Sequence, residues 1–351
     1  MKILLIKQTS LGDLIHSTLA LEAIKAKWPN SEIHFMVDRS CAFAVENNPL
    51  IDRFYYFDKV AYMERYKKNK LNIFNIISDM MGVLSAIRQT KFDLAIDLQG
   101  IERSAFFLYF CKAKQKFTKG KKPFMKGFKN ANKDDHALTE LRGTLKLAEI
   151  DAEDYFPKIY VDEASATTLH TKLPEHLISA LKDDKQKVIL ISPFTSWKTK
   201  DVPIQNWLKA AELISQKLAE AYFIFSATPD KYDELETELN KALINKPELT
   251  KKVTNFAGKT NIQELLNLIK KSDLVLASEG ATGHMASALD TPLCVVFGPT
   301  KPSRVGPWGK KAKVIQSKTA DCLGCYQRKC DNWICMNSIE DQIAQEALSI
   351  L

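Results

Sequence analysis

Asp13 follows a short apolar run, Ile3 to Ile6, and a turn at Gln8-Thr9-Ser10, and with Gly12 it opens an amphipathic helix that the spacing carries to about Lys27. A buried strand that ends in a glycine turn and feeds a helix gathers free backbone N–H groups and a positive dipole end at one spot. A carboxylate there, with His16 one turn on, suits a catalytic group beside an anionic ligand. The plainer reading is a helix cap, and position alone leaves both open. Three later strand-to-helix junctions are also polar. Ser192-Pro193-Phe194-Thr195-Ser196-Trp197-Lys198-Thr199-Lys200 offers hydroxyls and lysines that suit a diphosphate. Ser226-Ala227-Thr228-Pro229-Asp230 is the second. Ser278-Glu279-Gly280-Ala281-Thr282-Gly283-His284 is the third, where glycines let a ligand approach the backbone and Glu279 can accept from sugar hydroxyls. Each taken singly is ordinary turn chemistry with a helix cap; their recurrence on one sheet edge is what points to a ligand.

The elements that must position these groups alternate strand and helix. The first half reads as strands at 3–6, 32–37, 53–57 and 93–97, with helices near 41–47, from about Leu71 to Arg88, and after Gly100. The pattern weakens over about 151–187, which reads as a connection. It then restarts with strands at 188–192, 222–226, 253–256, 274–277 and 293–297 and helices between them. The expectation is an α/β fold of two Rossmann-like, doubly wound domains facing a cleft, with ligands beyond the carboxyl ends of the strands. The domains are placed at 1–165, the acceptor side, and 185–337, the donor side, and a last helix at 338–351 is left to fold back onto either half, the N-terminal domain included. Neither a GxGxxG fingerprint nor a GxxxxGK[ST] loop is present, which lowers the case for a dehydrogenase or a P-loop NTPase.

With 351 residues, 45 % of them hydrophobic, the chain can build two cores, and no apolar run reaches membrane-spanning length. The apolar start is too short for a signal peptide, so a cytoplasmic protein is expected. The net charge of +8 implies anionic partners. Much of it lies in Lys112 to Lys133, where Phe117, Phe124, Met125 and Phe128 interrupt the lysines, and in Arg65 to Lys70, behind Tyr62 and Met63. Such a mixture suits an anionic membrane surface or a phosphorylated amphiphile, or else a solvated loop with no partner. No nucleic-acid reading motif accompanies the charge, so nucleic acid is not an expected partner.

Together the junctions carry a resemblance. IKQTSLGDLIHSTLAL, FDLAIDLQGIERSA, SWKTKDVPIQNW, the loop Glu279 to His284 and GPT at Gly298 to Thr300 are similar to motifs of the bacterial heptosyltransferases of lipopolysaccharide inner-core synthesis, glycosyltransferase family 9. GDLIH and DLQG look closest to heptosyltransferase I. The resemblance implies a GT-B architecture and an inverting, metal-independent transfer of heptose from ADP-heptose to Kdo of a Kdo–lipid A acceptor at the cytoplasmic face of the inner membrane. It places the general base on Asp13 and substrate contacts on Lys7, Ser10, Gly12, Arg103 and Arg142. Donor contacts fall on Thr195, Ser196, Lys200, Asp230, Glu279, Gly280, Ala281, Thr282, Gly283 and His284. The loop departs from the family pattern at Glu279, Gly280, Thr282 and Gly283. Two alternatives stay open: a same-fold transferase acting on a protein or another glycan, and a catalytically silent nucleotide-sugar binder.

Cys322, Cys325, Cys330 and Cys335 are spaced C-x2-C-x4-C-x4-C, able to supply four thiolates to a structural Zn or Fe. No cofactor is expected for catalysis itself. Cys41, Cys111 and Cys294 read as core residues.

Overall fold

Ile3–Ile6 and Val188–Ile191 are apolar on both faces, as a strand covered by helices on either side must be, and each forms the middle of its own sheet. The computed structural model describes residues 1–70, 73–121, 123, 125–129 and 135–351. The chain divides into two units, Met1–Tyr160 and Val161–Leu351. The first carries β1 (Lys2–Ile6), β2 (Glu32–Asp38), β3 (Arg53–Phe57), β4 (Lys91–Asp97), β5 (Lys112–Lys119) and β6 (Lys126–Phe128). Their order is β3-β2-β1-β4-β5-β6, all parallel. The second carries β7 (Lys187–Ser192), β8 (Ala221–Phe225), β9 (Val253–Asn255), β10 (Leu274–Ser278), β11 (Leu293–Phe297) and β12 (Ala312–Gln316). Their order, β12-β11-β10-β7-β8-β9, is the same topology repeated, again parallel. Each unit is therefore a doubly wound Rossmann-like sheet. Its switch point, where such sheets bind ligands, lies between the first and fourth strands: β1 and β4 in one, β7 and β10 in the other.

Several details depart from the sequence reading. The expected helix from Gly12 to Lys27 is two, Leu11–Ser17 and Leu19–Lys27. The Ser17 and Thr18 hydroxyls donate to the Leu14 and Ile15 carbonyls at 2.6 and 2.7 Å, local bonds that tighten the turn. The lysine run that reads as a loop begins as β5. Phe117 and Thr118 are buried while the lysines find local partners, Lys114 on Asp93 at 2.7 Å and Lys116 on the Tyr109 and Cys111 carbonyls. Its remainder falls partly on Lys122, Phe124 and residues 130–133, and the expected start of the long helix on Leu71, which lie outside the described residues. A helix, Lys59–Lys68, covers much of the second basic run.

The expected connection instead holds the helices Ala164–Lys172 and Glu175–Ala180, both in the second unit. Asn267 donates to Ser165 Oγ at 2.6 Å and Lys172 pairs with the buried Glu264 at 2.7 Å. Of the two places left open for the C-terminal helix, Glu340–Leu348 takes the second unit. Ile343, Ala344 and Ala347 join the second unit's core, because that face is apolar and the helix Ile204–Lys217 and β11–β12 offer apolar surface beside it. Among the described residues no helix is long and apolar enough to cross a membrane.

Candidate active site

Beyond β1 the chain turns through Lys7–Ser10 before the helix Leu11–Ser17. Gln99, just past β4, pins this turn: its side-chain oxygen accepts from the backbone N–H of Gln8 at 3.1 Å and of Thr9 at 2.9 Å. The Lys7 side chain is almost wholly buried, and its ammonium lies 3.8 Å from the Asp13 carboxylate, which stays 43 % exposed. Ser10 Oγ donates to Asp13 at 3.1 Å. Lys7 and Ser10 thus meet the same oxygen of Asp13, Oδ2, a lysine and a hydroxyl rather than the backbone N–H group a cap would hold.

Burial works to raise the pKa of Asp13, but Lys7 above all, then Lys119, His16 and the Ser10 hydrogen bond, outweigh it and hold the carboxyl below its ordinary value. Burial lowers Lys7 to about 8, against the opposing pull of Asp13. Lys119 reaches the site because β5 lies beside β4, and Gly100, at φ +75°, lets the backbone approach Lys119 so closely that a Cβ would collide with its carbonyl. Asp97, at the end of β4, is buried and raised by burial, although it accepts from Ser104 Oγ at 2.8 Å and from two backbone N–H groups.

Arg103 joins this site through Gln8, donating to its side-chain oxygen at 2.6 Å, with its guanidinium 4.7 Å above the Phe57 ring. Arg142 does not join in this way. Its guanidinium donates to the Ala152 and Tyr155 carbonyls at 3.0 Å each and faces Glu153 at 3.8 Å, so it ties down the 152–155 segment. Gly12 lies in the first turn of the helix, one residue before Asp13.

In the second unit the loop after β7 holds itself together. The Thr195 N–H donates to Asp201 at 2.7 Å and the Thr195 hydroxyl bonds the Trp197 carbonyl at 2.8 Å. Lys200 lies 2.8 Å from Glu279, both nearly buried, and Thr300 Oγ1 donates to the same Glu279 oxygen at 2.9 Å. Ser192 and Thr282 hydroxyls meet at 2.9 Å, closing the gap between β7 and the helix Ala281–Ala288. The Ser278 hydroxyl donates to the Pro193 carbonyl and accepts from the Val202 N–H, locking the two loops in register.

Thr195, Lys200, Glu279, Gly280 and Thr282 are thus brought together. Gly280 makes no packing demand, since a Cβ there would stand 3.6 Å from Thr195, whereas at Gly283 a Cβ would press on Val295 at 3.2 Å. Ala281 begins the helix, and His284 stacks on Trp308 at 5.9 Å. Ser196 is exposed on the loop. Asp230 is exposed in the turn Pro229–Lys231, which reaches this loop through Lys231, 5.2 Å above Phe194.

Thr199, Pro299 and Trp333 share one pocket with Cys322, Cys325, Cys330 and Cys335. Among the described residues, however, no three His, Cys, Asp or Glu side chains form a set that could hold a metal. The possibility of a Zn or Fe site at these cysteines is thus not supported. Three of these thiols are exposed while Cys335 is buried in the core, where burial first of all pushes it up to about 11.

Residues 80–334 match the model of glycosyltransferase family 9 (heptosyltransferase). The chain belongs to that family. It is similar to lipopolysaccharide heptosyltransferase 1 of Campylobacter coli, 27 % identical over 97 % of this chain and 96 % of that one. Among solved structures it is similar in fold to a family 9 glycosyl transferase from Veillonella parvula (TM-score 0.79, 18 % identity, 99 % and 96 % of the two chains). It is also similar to the E. coli heptosyltransferase WaaC with ADP (TM-score 0.68, 18 % identity, 99 % and 100 %). The paired six-stranded sheets of this family 9 chain are the GT-B architecture.

Proposed function

We propose that this family 9 chain is an inverting, metal-independent transferase that moves heptose from ADP-heptose to a Kdo hydroxyl of Kdo–lipid A, acting as a heptosyltransferase I at an anionic membrane surface. The observation that carries the reading is Asp13: a half-open carboxylate at a switch point, kept ionised by a buried lysine.

In this reading Asp13 takes the proton of the attacking hydroxyl as the new C–O bond forms, and the bond from the anomeric carbon to the diphosphate breaks with its electron pair leaving on ADP. General-base help of this kind is worth roughly 10²–10⁴-fold. Lys7, Ser10, Gly12 and Arg103 orient the acceptor. Lys200, Thr195, Ser196 and the N-terminal N–H groups at Thr282 take the diphosphate, with Asp230, Glu279, Gly280, Ala281, Gly283 and His284 shaping the rest of the donor site. An ammonium has three donors, so Lys200 can meet a phosphate oxygen while Glu279 holds it in place, and the charge growing on ADP is stabilised by groups already oriented. The relative solved with ADP and the heptosyltransferase 1 similarity support this donor class.

The test is a thermal-shift screen of ADP-, UDP- and GDP-sugars followed by transfer to Kdo–lipid A in excess EDTA. Selective stabilisation by the ADP-sugar and full turnover with chelator are expected; preference for another nucleotide, or strict dependence on Mg²⁺, contradicts the reading. A second reading, a nucleotide-sugar binder without transfer, draws on the Lys200–Glu279 pair, which already neutralises the lysine. Transfer above background removes it.

A further inference from the structure

Between the helices Lys59–Lys68 and Ile73–Arg88 lies a cavity of about 290 Å³ whose use the reaction just described leaves open. Its floor is Phe57, Tyr62 and Ile76 and its walls are Met63, Tyr66 and Met80. Two cations line it as well, Lys59 and Arg103. Apolar walls normally close on one another or are covered, yet Met63 remains 48 % exposed and Ile73, also lining the cavity, 39 %. The two thioethers give walls that adapt to an irregular chain.

Arg103 is also the residue that holds Gln8 at 2.6 Å, next to Lys7, so the cavity borders the carboxylate loop through one shared side chain. Hydrocarbon walls with cations among them match an amphiphile of one kind: an anionic head and an alkyl tail. Exposed Lys67, Lys68 and Lys70, which follow Tyr66 in the chain, extend the same sign of charge, whereas Arg65 is paired with Asp79 at 2.8 Å.

We propose that this cavity is a hydrocarbon subsite that takes one acyl chain of an anionic amphiphile while Arg103 and Lys59 meet its head. The inference rests on the reading of the first unit as the acceptor side, and it names what part of the acceptor that unit grips besides its sugar.

The test is calorimetric titration of the full chain, without donor, using decyl phosphate and ethyl phosphate at submicellar concentrations. Each buried methylene contributes roughly a factor of four to binding, so decyl phosphate should bind at least about 100-fold more tightly than ethyl phosphate. Met63→Asp, at a wall position open enough to accept the change, should weaken decyl phosphate at least about 10-fold. Val60→Asp lies on the same helix, is 51 % exposed and does not line the cavity; it should leave affinity within about twofold. Equal binding of the two phosphates, an unaffected Met63→Asp protein, or equal losses in both variants would each overturn the subsite. Because no transfer is measured, a chain that binds decyl phosphate as expected but glycosylates no Kdo–lipid retains the subsite and loses the acceptor reading. A chain that transfers but ignores chain length does the reverse.

Discussion

The two units repeat one strand order, and each places a lysine and a carboxylate near its switch point, yet they set the pair differently. In the first unit Lys7 is buried and Asp13 half-exposed, 3.8 Å apart. In the second, Lys200 and Glu279 are both nearly buried, 2.8 Å apart, with Thr300 on the same carboxylate oxygen. The long, lopsided pair leaves a carboxylate open to solvent and ligand. The short, closed one gives the carboxylate to its own lysine and fixes that lysine's position. The same topology thus yields one site suited to moving a proton and one suited to holding a charge.

The strongest way to break this contrast is at the open carboxylate. Asp13→Ala should lower turnover at least about 100-fold while donor affinity stays near normal; kinetics with titration of ADP-sugar measures both, and near-normal turnover removes the base. At the closed pair the effect should be on binding and stability instead. Lys200→Met should weaken donor binding at least about 10-fold and cost about 3–5 kcal/mol of stability by stranding the buried Glu279. Adding Glu279→Gln should restore the denaturation midpoint without restoring donor affinity.

Lys7 sharpens the comparison because burial lowers it to about 8. A lysine whose pKa is lower folded than unfolded opposes folding below that value, and the opposition fades as pH rises from about 8 toward its ordinary value of 10.5. The shift corresponds to about 3 kcal/mol. Lys7→Met should therefore leave stability at pH 7 unchanged or raised, lower activity at least about 10-fold, and lose its stability advantage across that alkaline window. Denaturant titrations at pH 7 and 10 check the sign. The smallest effect belongs to Arg142→Ala, which should cost about 1.5–3 kcal/mol through its two carbonyl hydrogen bonds and leave acceptor KM unchanged.

The sheets were readable where both faces are covered, since Ile3–Ile6 and Val188–Ile191 permit little else. β5 was not, because its lysines imitate a solvated loop until Asp93 and two main-chain carbonyls are seen to receive them. The helices at 164–172 and 175–180 are too short to display a period. Asp13 stood out as a charge at a strand–helix junction, whereas Lys7 came only from the family resemblance. Gln8 and Gln99, which fix the loop's shape, carry no charge and follow no pattern that chain spacing reveals. The Lys200–Glu279 contact joins two junctions that are separate in sequence and meet only across the top of β7 and β10. The four C-terminal cysteines, spaced as a metal set in sequence, do line one pocket, but among the described residues they form no group that could hold a metal.

The central claim is that a buried lysine keeps an open catalytic carboxylate ionised. The pH dependence of kcat/KM in the wild-type chain and in Lys7→Met tests it most directly. The account predicts an acidic limb below the ordinary carboxylate value of 3.8 in the wild type, moved upward when the lysine is lost. A limb that stays in the same place in both proteins would contradict it.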